Sequence, residues 1–322
     1  MNLRLIITLT LSLLWIEAQA ADLPGIPKFI DEMVKQHQFK HDELVQVFKN
    51  AKLRPDIIKA ISAPATIKPW VKYRASFINS ARIKGGVKFW KKHAASLKEA
   101  ELIYGAPQEI IVAIIGVETL YGRHAGTFRT LDALTTLAFD YPRRAVFFRK
   151  ELAQYLLLAR EQQFNLLAVK ASYAGALGIP QFMPSSYRKH AVDFNSDGKV
   201  DLMKEPVDAI GSVANYLKQY GWQAGEPVAQ LAKLGNEAFP SISKKSRTLT
   251  DWADSSIRPS KNAPVGDTPA WLLDFTVKSG KEYWLTYKNF RVITKYNNSN
   301  FYAMSVFQLA ESIRKAHDKK SK

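Results

Sequence analysis

The chain has no cysteine. That absence excludes a disulfide framework, a thiolate metal site, a cysteine nucleophile, and the thiol that would carry the lipid of a lipoprotein. Beyond its first twenty residues no apolar run has the length a membrane-spanning helix needs. No internal repeat and no long low-complexity segment is present either. With 322 residues and 47% hydrophobic content, the chain has ample material for a buried core.

The opening segment, MNLRLIITLTLSLLWIEAQA, has Arg4 near its start, an apolar centre from Leu5 to Trp15, and a small-x-small ending at Ala18 and Ala20. That pattern predicts an export signal cleaved after Ala20, and so a soluble periplasmic protein without a transmembrane anchor. Arg4 and Glu17 leave together, so the net charge stays at +17. In an exported protein such an excess points to anionic wall polymers or headgroups rather than to nucleic acid; charge alone names no ligand.

Helical spacing dominates to about residue 222. Phe29, Ile30, Met33 and Val34, then Leu44, Val45, Val47 and Phe48, predict two short amphipathic helices. Further helices are expected around Trp70, Tyr73 and Phe77, over residues 87–104, and over residues 143–163. Prolines 227, 240, 259 and 264 then mark a change of texture. WLLDFTV, EYWLTY and FRVITKY follow, β-branched and aromatic, with SGKE between the first two suiting a hairpin turn. FYAMSVFQLAESIRKA returns to helical spacing.

Within the helical part, PQEIIVAIIG leaves almost no polar face, yet runs into GVETLYG with Glu118 at its end. Desolvation and the negative end of the helix dipole both disfavour the carboxylate there. A carboxyl held protonated near neutral pH is what a general acid requires; the alternative is an ordinary acid on an exposed last turn. Asp132 and Asp140 are the nearest acids downstream.

Two further stretches carry chemistry. SYAGALGIPQFMPSSY, residues 172–187, sets glycines and prolines around Gln181, Ser185 and Ser186. It suits close backbone approach to a polyhydroxylated ligand, or a rigid connection to a helix capped by Ser185 or Ser186. In DFNSDGKVDLMKEPVD, Asp193, Asn195 and Asp197 occupy positions 1, 3 and 5 of an EF-hand-like loop. Gly198 takes the sharp-turn position 6, and Lys199 offers its carbonyl at position 7. Lys204 stands at position 12, so Glu205 or Asp208 must close the site. An Asx-rich turn without metal is the alternative.

GVETLYG, FDYPRRAVFF, AGALGIPQFMPSSY, DFNSDGKVDL with PVDAIGSVANYL, and YNNSNFYAMSV occur in this order from about Tyr73 to Val306. Together they resemble the lytic transglycosylase B family of peptidoglycan-cleaving enzymes. The resemblance implies a mainly α (α+β) fold: a lysozyme-like helical core, a helical α domain and a small β-rich domain. On this chain that division reads as residues 21–105 in the α domain, 106–222 as the core, 223–294 as the β-rich part and 295–318 as a return to the core. The helix at 143–163 falls within the core by position, or belongs to the α domain.

The implied reaction cuts the β-1,4 bond between N-acetylmuramic acid and N-acetylglucosamine in glycan strands without water, leaving a 1,6-anhydro end. Glu118 matches the catalytic acid, and catalysis needs no cofactor. Tyr73, Ser172, Gln181, Tyr216, Tyr296 and Asn297 match the substrate cleft, with Arg143 and Arg144 available for muramyl-peptide carboxylates. Asp193, Asn195, Asp197, Lys199 and Asp208 match a structural calcium site, Glu205 being the reserve. Two rivals are a hydrolytic muramidase, separated only by its product, and a non-catalytic wall-binding protein, which would need no acid at Glu118.

Overall fold

The computed structural model describes residues 23–63, 68–236, 245–260, 264 and 267–319. The export signal expected over residues 1–20 lies outside them, as do Pro240 and the first half of SISKKSRT.

The amphipathic N-terminal pair forms as expected, α1 (Ile26–His37) and α2 (His41–Lys49), burying Phe29, Ile30, Met33, Leu44 and Phe48, with Val34, Val45 and Val47 partly buried against them. Next come α3 (Pro55–Ser62), α4 (Trp70–Phe77), α5 (Ser80–Lys92), α6 (Ala94–Tyr104) and α7 (Gln108–Thr119). The single helix expected over 87–104 is therefore two. The chain turns at His93, whose ring lies 4.6 Å from that of Phe89, and α6 restarts in a new direction. A two-stranded ribbon, β1 (Phe128–Arg129) with β2 (Lys170–Ala171), brackets α8 (Thr130–Phe139) and α9 (Ala145–Glu161). Then follow α10 (Pro184–His190) and α11 (Pro206–Gln219).

The expected cap on α10 is absent. Neither Ser185 nor Ser186 is its N-cap; the buried carboxylate of Glu151, from α9, accepts from the Ser185 backbone N–H at 3.0 Å and from its hydroxyl at 2.7 Å. A negative group from another helix thus takes over the unpaired first turn.

The sheet comprises β3 (Ala229–Leu234), β4 (Arg247–Thr248), β5 (Ile257–Pro259), β6 (Pro269–Val277) and β7 (Gly280–Thr286), in the order β4-β6-β7-β3-β5 with every pairing antiparallel. WLLDFTV and EYWLTY lie in the β6–β7 hairpin, closed at Lys278–Ser279 where Val277 pairs with Gly280. A short helix, α12 (Leu249–Asp254), begins at a capping box between Thr248 and Asp251. FRVITKY is not a strand. It forms α13 (Lys288–Tyr296), because Asn289, Phe290, Val292 and Ile293 share one face and bury it. Tertiary burial overrides the β preference of such residues. The helical return thus begins at Lys288, ahead of residue 295, and ends with α14 (Asn300–Asp318).

Three apolar clusters result. One joins α4, α5, α6, α7, α11, α13 and α14 to the inner face of β6 through Leu273 and Phe275. A second gathers α1, α2, α3, α8, α9 and α10, and a third lies between the sheet and α12. Tyr296 packs against both helical clusters and so stands at their junction. Among the described residues no single helix is long and apolar enough to cross a membrane.

Candidate active site

Helix α7 runs through the core beside this junction: Ile111 to Ile115 have no exposed surface. Its end is locked by tertiary contacts. Leu120, Tyr121 and Gly122 all adopt left-handed backbone conformations, with φ of 52°, 64° and 85°. Thr119 donates its hydroxyl to Ile179 O at 2.8 Å and accepts from Gly122 N at 2.9 Å. The Tyr121 ring folds back beneath the helix and donates to Arg82 O at 2.7 Å. A Cβ at Gly116 would lie 2.6 Å from the Tyr121 hydroxyl oxygen, so only glycine fits there.

This lock fixes Glu118 one residue before the helix ends. The side chain keeps some solvent contact while protein surrounds it deeply enough that burial raises its carboxyl to about 7. The hydroxyl of Tyr302 donates to Glu118 Oε1 at 2.5 Å and opposes that rise. Tyr302 is 3% exposed, and burial together with the Glu118 charge pushes its phenol well above the ordinary range. It therefore stays a donor. Ser299 caps α14 by accepting from Tyr302 N, which sets the phenol at the first turn. The motif YNNSNFYAMSV contains this residue, but nothing in its helical spacing marks Tyr302 as part of the site.

Aromatic rings line the approach. Tyr296 stacks on Tyr302 at 6.4 Å with 13° between the planes. Burial, with the nearby Glu118 charge, pushes its phenol well up. Its hydroxyl donates to Pro180 O at 2.6 Å, tying α13 to the glycine- and proline-rich loop. Tyr216 backs Tyr296 at 4.8 Å and donates to Lys295 O at 2.6 Å. On the α4 side, Tyr73 packs against Trp70, Phe77 and Phe301, and its phenol too is raised, by burial and then by Glu118. Tyr73, Tyr296 and Tyr302, from three helices, thus share the field of one carboxyl.

The remaining positions are less close-knit. Gln181 sits in a left-handed conformation, φ 53°, donating to Ala125 O at 3.1 Å and Gly178 O at 2.9 Å. Ser172 accepts from Ala176 N at 3.1 Å, closing the same loop. Asn297 is exposed beside Tyr296. Arg143 and Arg144 lie exposed in a 3-10 turn, where Arg144 stacks over Phe147 at 4.3 Å. No contact described for either reaches the Glu118 group. Asp132 is committed elsewhere, paired with Arg129 at 2.5 Å and accepting from Lys52 N at 2.9 Å. Asp140 is exposed at the end of α8, and among the described residues no carboxylate contributes to the shift at Glu118.

In the acidic loop the carboxylates turn onto backbone N–H groups. Asp193 accepts from Asp197 N and Gly198 N, and Asn195 Oδ1 also accepts from Asp197 N. Asp197 accepts from Lys199 N, and Asp201, at position 9, from Met203 N and Lys204 N. Asp208, 1% exposed, reaches back from α11 to accept from Phe194, Asn195 and Asp201 N–H groups. Glu205, the reserve ligand, is instead the N-cap of α11 and accepts from Val207 N. Among the described residues no three His, Cys, Asp or Glu side chains converge as a metal cluster. The donor set is nonetheless all hard oxygen, on a loop with left-handed Ser196 and Gly198, which suits calcium and no softer ion.

Comparisons with known proteins bear on this geometry. A family model described as the transglycosylase SLT domain matches residues 23–311. The membrane-bound lytic murein transglycosylase B of Escherichia coli (strain K12) is 43% identical over 304 residues, covering 91% of this chain and 83% of that protein. Among solved structures, the catenated lytic transglycosylase SltB1 from Pseudomonas aeruginosa is 46% identical, with a TM-score of 0.86 over 92% of this chain and 99% of that one. The Escherichia coli lytic transglycosylase Slt35 in complex with calcium is 42% identical, with a TM-score of 0.86 over 92% and 94%. A match of this extent, on a chain whose buried acid and aromatic cleft lie within it, means that the protein belongs to the transglycosylase SLT-domain family.

Proposed function

We propose that this protein is a lytic transglycosylase that cleaves the β-1,4 bond between N-acetylmuramic acid and N-acetylglucosamine in peptidoglycan, with Glu118 as its one catalytic carboxyl. The observation that carries this reading is the state of Glu118: a lone acid raised to about 7, in contact with Tyr302 and with no second carboxylate acting on it.

Glu118 starts protonated. Its proton passes to the glycosidic oxygen as the bond from C1 breaks, and the N-acetylglucosamine side leaves as an alcohol. The substrate's own acetamido oxygen bonds to C1 and holds the positive charge, so no protein nucleophile is needed. Glu118, now a carboxylate, accepts the proton of the muramyl O6 hydroxyl while O6 bonds to C1 and displaces the acetamido oxygen. The product is a 1,6-anhydro ring, no water is consumed, and Glu118 is protonated again. Tyr302 orients the carboxyl through both steps and steadies its anion between them.

Around this centre Tyr73 and Tyr296 offer faces and edges to the sugar rings, and Asn297, Ser172 and Gln181 supply polar contacts. Tyr216 acts behind them, holding Tyr296 in place. Arg143 and Arg144 serve peptide carboxylates farther along the strand. Residues 106–222 with 288–318 form the catalytic core, 21–105 the α domain and 223–287 the β-rich part. Asp193, Asn195, Asp197, the Lys199 carbonyl and Asp208 would hold calcium, which when bound would stiffen the loop beneath α11. The calcium complex of Slt35 supports that assignment. Residues 1–20 act as an export signal, and the site of action is the periplasmic face of the wall.

The test is mass spectrometry of muropeptides released from purified sacculi, with Glu118→Gln alongside. Products lighter by one water than reducing muropeptides, absent with Glu118→Gln, are expected. Reducing products would make the protein a hydrolytic muramidase. Unchanged activity in Glu118→Gln would overturn the assignment of the acid.

A further inference from the structure

A cavity of about 680 Å³ lies away from Glu118, where α7 and α14 meet β3 and β7. Its lining reaches the first turn of α7 at Glu109 and Ile110, nine and eight residues before Glu118. At 1.5 Å per residue that is about 12–13 Å along the helix. The cavity and the acid thus lie at opposite ends of the same helix.

The lining has a definite chemistry. Trp284 and Phe307 meet edge to face at 6.2 Å, and Trp222 adds a third aromatic wall. Glu226, Glu282, Glu109 and Glu311 also line it, against Arg74 as the one lining cation among the described residues. Glu109 is already paired with Arg314, and Glu282 accepts from Trp284 Nε1 at 3.3 Å, which aims its carboxylate. On a chain of net charge +17 this is a local reversal of sign. Aromatic faces rimmed by carboxylates attract organic ammonium groups.

A second observation narrows the ligand. Trp222 Nε1, on a residue 5% exposed, and Gln308 Oε1, on a residue 9% exposed, have no hydrogen-bond partner. Both residues line this cavity. Buried polar atoms are normally paired, and the terminal torsion of glutamine is broad enough to turn its oxygen toward the space. One unpaired donor and one unpaired acceptor are the complement of an amide group.

We infer that this cavity is a second binding site, for a short peptide that carries a free primary ammonium group. Resting on the proposed function, the ligand in the wall is a stem peptide with a side-chain amine. Because the cavity lies at the far end of α7 from Glu118, that stem is held away from the bond being cut. The site therefore moors the enzyme to the wall while Glu118 engages the glycan.

The experiment titrates the mature chain with L-alanyl-γ-D-glutamyl-L-lysine, reading tryptophan fluorescence and calorimetric heat. Binding is expected, weakened about tenfold or more by Nε-acetylation of the peptide and by Glu226→Gln with Glu282→Gln, and unchanged by Glu118→Gln. Equal binding of the acetylated peptide, no binding, or loss in Glu118→Gln would overturn the inference. Tighter binding of the α-linked, all-L peptide Ala-Glu-Lys would replace the stem with a protein segment. Sacculus cleavage measured in parallel separates the two claims. Cleavage without peptide binding sinks only this site, and peptide binding without cleavage sinks only the catalytic reading.

Discussion

Tyr302 donates to Glu118 across 2.5 Å, joining the first turn of α14 to the last turn of α7. The two residues are 184 positions apart in the chain. Burial drives the carboxyl up and the phenol pulls it down, so the acid's strength is a balance between packing and one hydrogen bond.

Removing the phenol should unbalance it. Tyr302→Phe keeps the ring and deletes the donor, so the Glu118 carboxyl should rise further. Cleavage by a protonated acid falls as pH passes through the pKa, about 7 in the native protein. In Tyr302→Phe that falling limb should move to higher pH, with a rate at its plateau lower by about tenfold from lost orientation. A pH–rate profile in which the limb stays put or moves down would refute the pairing.

Stability should show the same balance with the opposite profit. The native carboxyl holds its proton up to about 7, whereas the unfolded one releases it near 4.5. Between these values the native state binds more protons, so this group's contribution to stability falls as pH rises and is flat above. Glu118→Gln removes the dependence. The variant should be more stable than the native chain at pH 8, by on the order of 3 kcal/mol, and show no such gain below pH 4.5. Urea denaturation at both pH values measures it.

Gly116 makes room for Tyr121, whose hydroxyl oxygen would lie 2.6 Å from an added Cβ. Gly116→Ala should cost about 1–3 kcal/mol and lower activity through the displaced end of α7. The cost should shrink in a Tyr121→Leu background. A double-mutant cycle with no coupling between the two positions would show that the socket does not hold the turn.

Asp208 accepts from three backbone N–H groups of the acidic loop. Asp208→Ala should therefore destabilise the chain by about 3 kcal/mol even in EDTA. Calcium should raise the Tm of the native chain, and Asp193→Ala with Asp197→Ala should abolish that rise. A calcium response that survives both substitutions would place the ion elsewhere.

The helices with clear apolar stripes were legible because their periodicity is local: α1, α2 and α14 bury most of the residues their spacing picks out. Glu118 was legible for a related reason, a carboxyl at the end of a run with no polar face. FRVITKY was misread because β-branched and aromatic residues favour strands until a helical neighbour offers burial, and α14 does so for α13. The capping of α10 by Glu151 has no local signature, since it depends on a partner from another helix.

By itself the sequence determined the helical character of the chain, the β6–β7 hairpin, the acid at the end of α7 and the oxygen-rich loop, because each is written in residues a few positions apart. Tertiary structure alone decided that Tyr302 meets Glu118, that Tyr73 and Tyr296 share its field, and that Asp208 turns inward onto the loop. It also set Trp222 and Gln308 on one wall with Glu226 and Glu282. Those relationships join residues far apart in the chain, and periodicity carries no information about which buried faces meet.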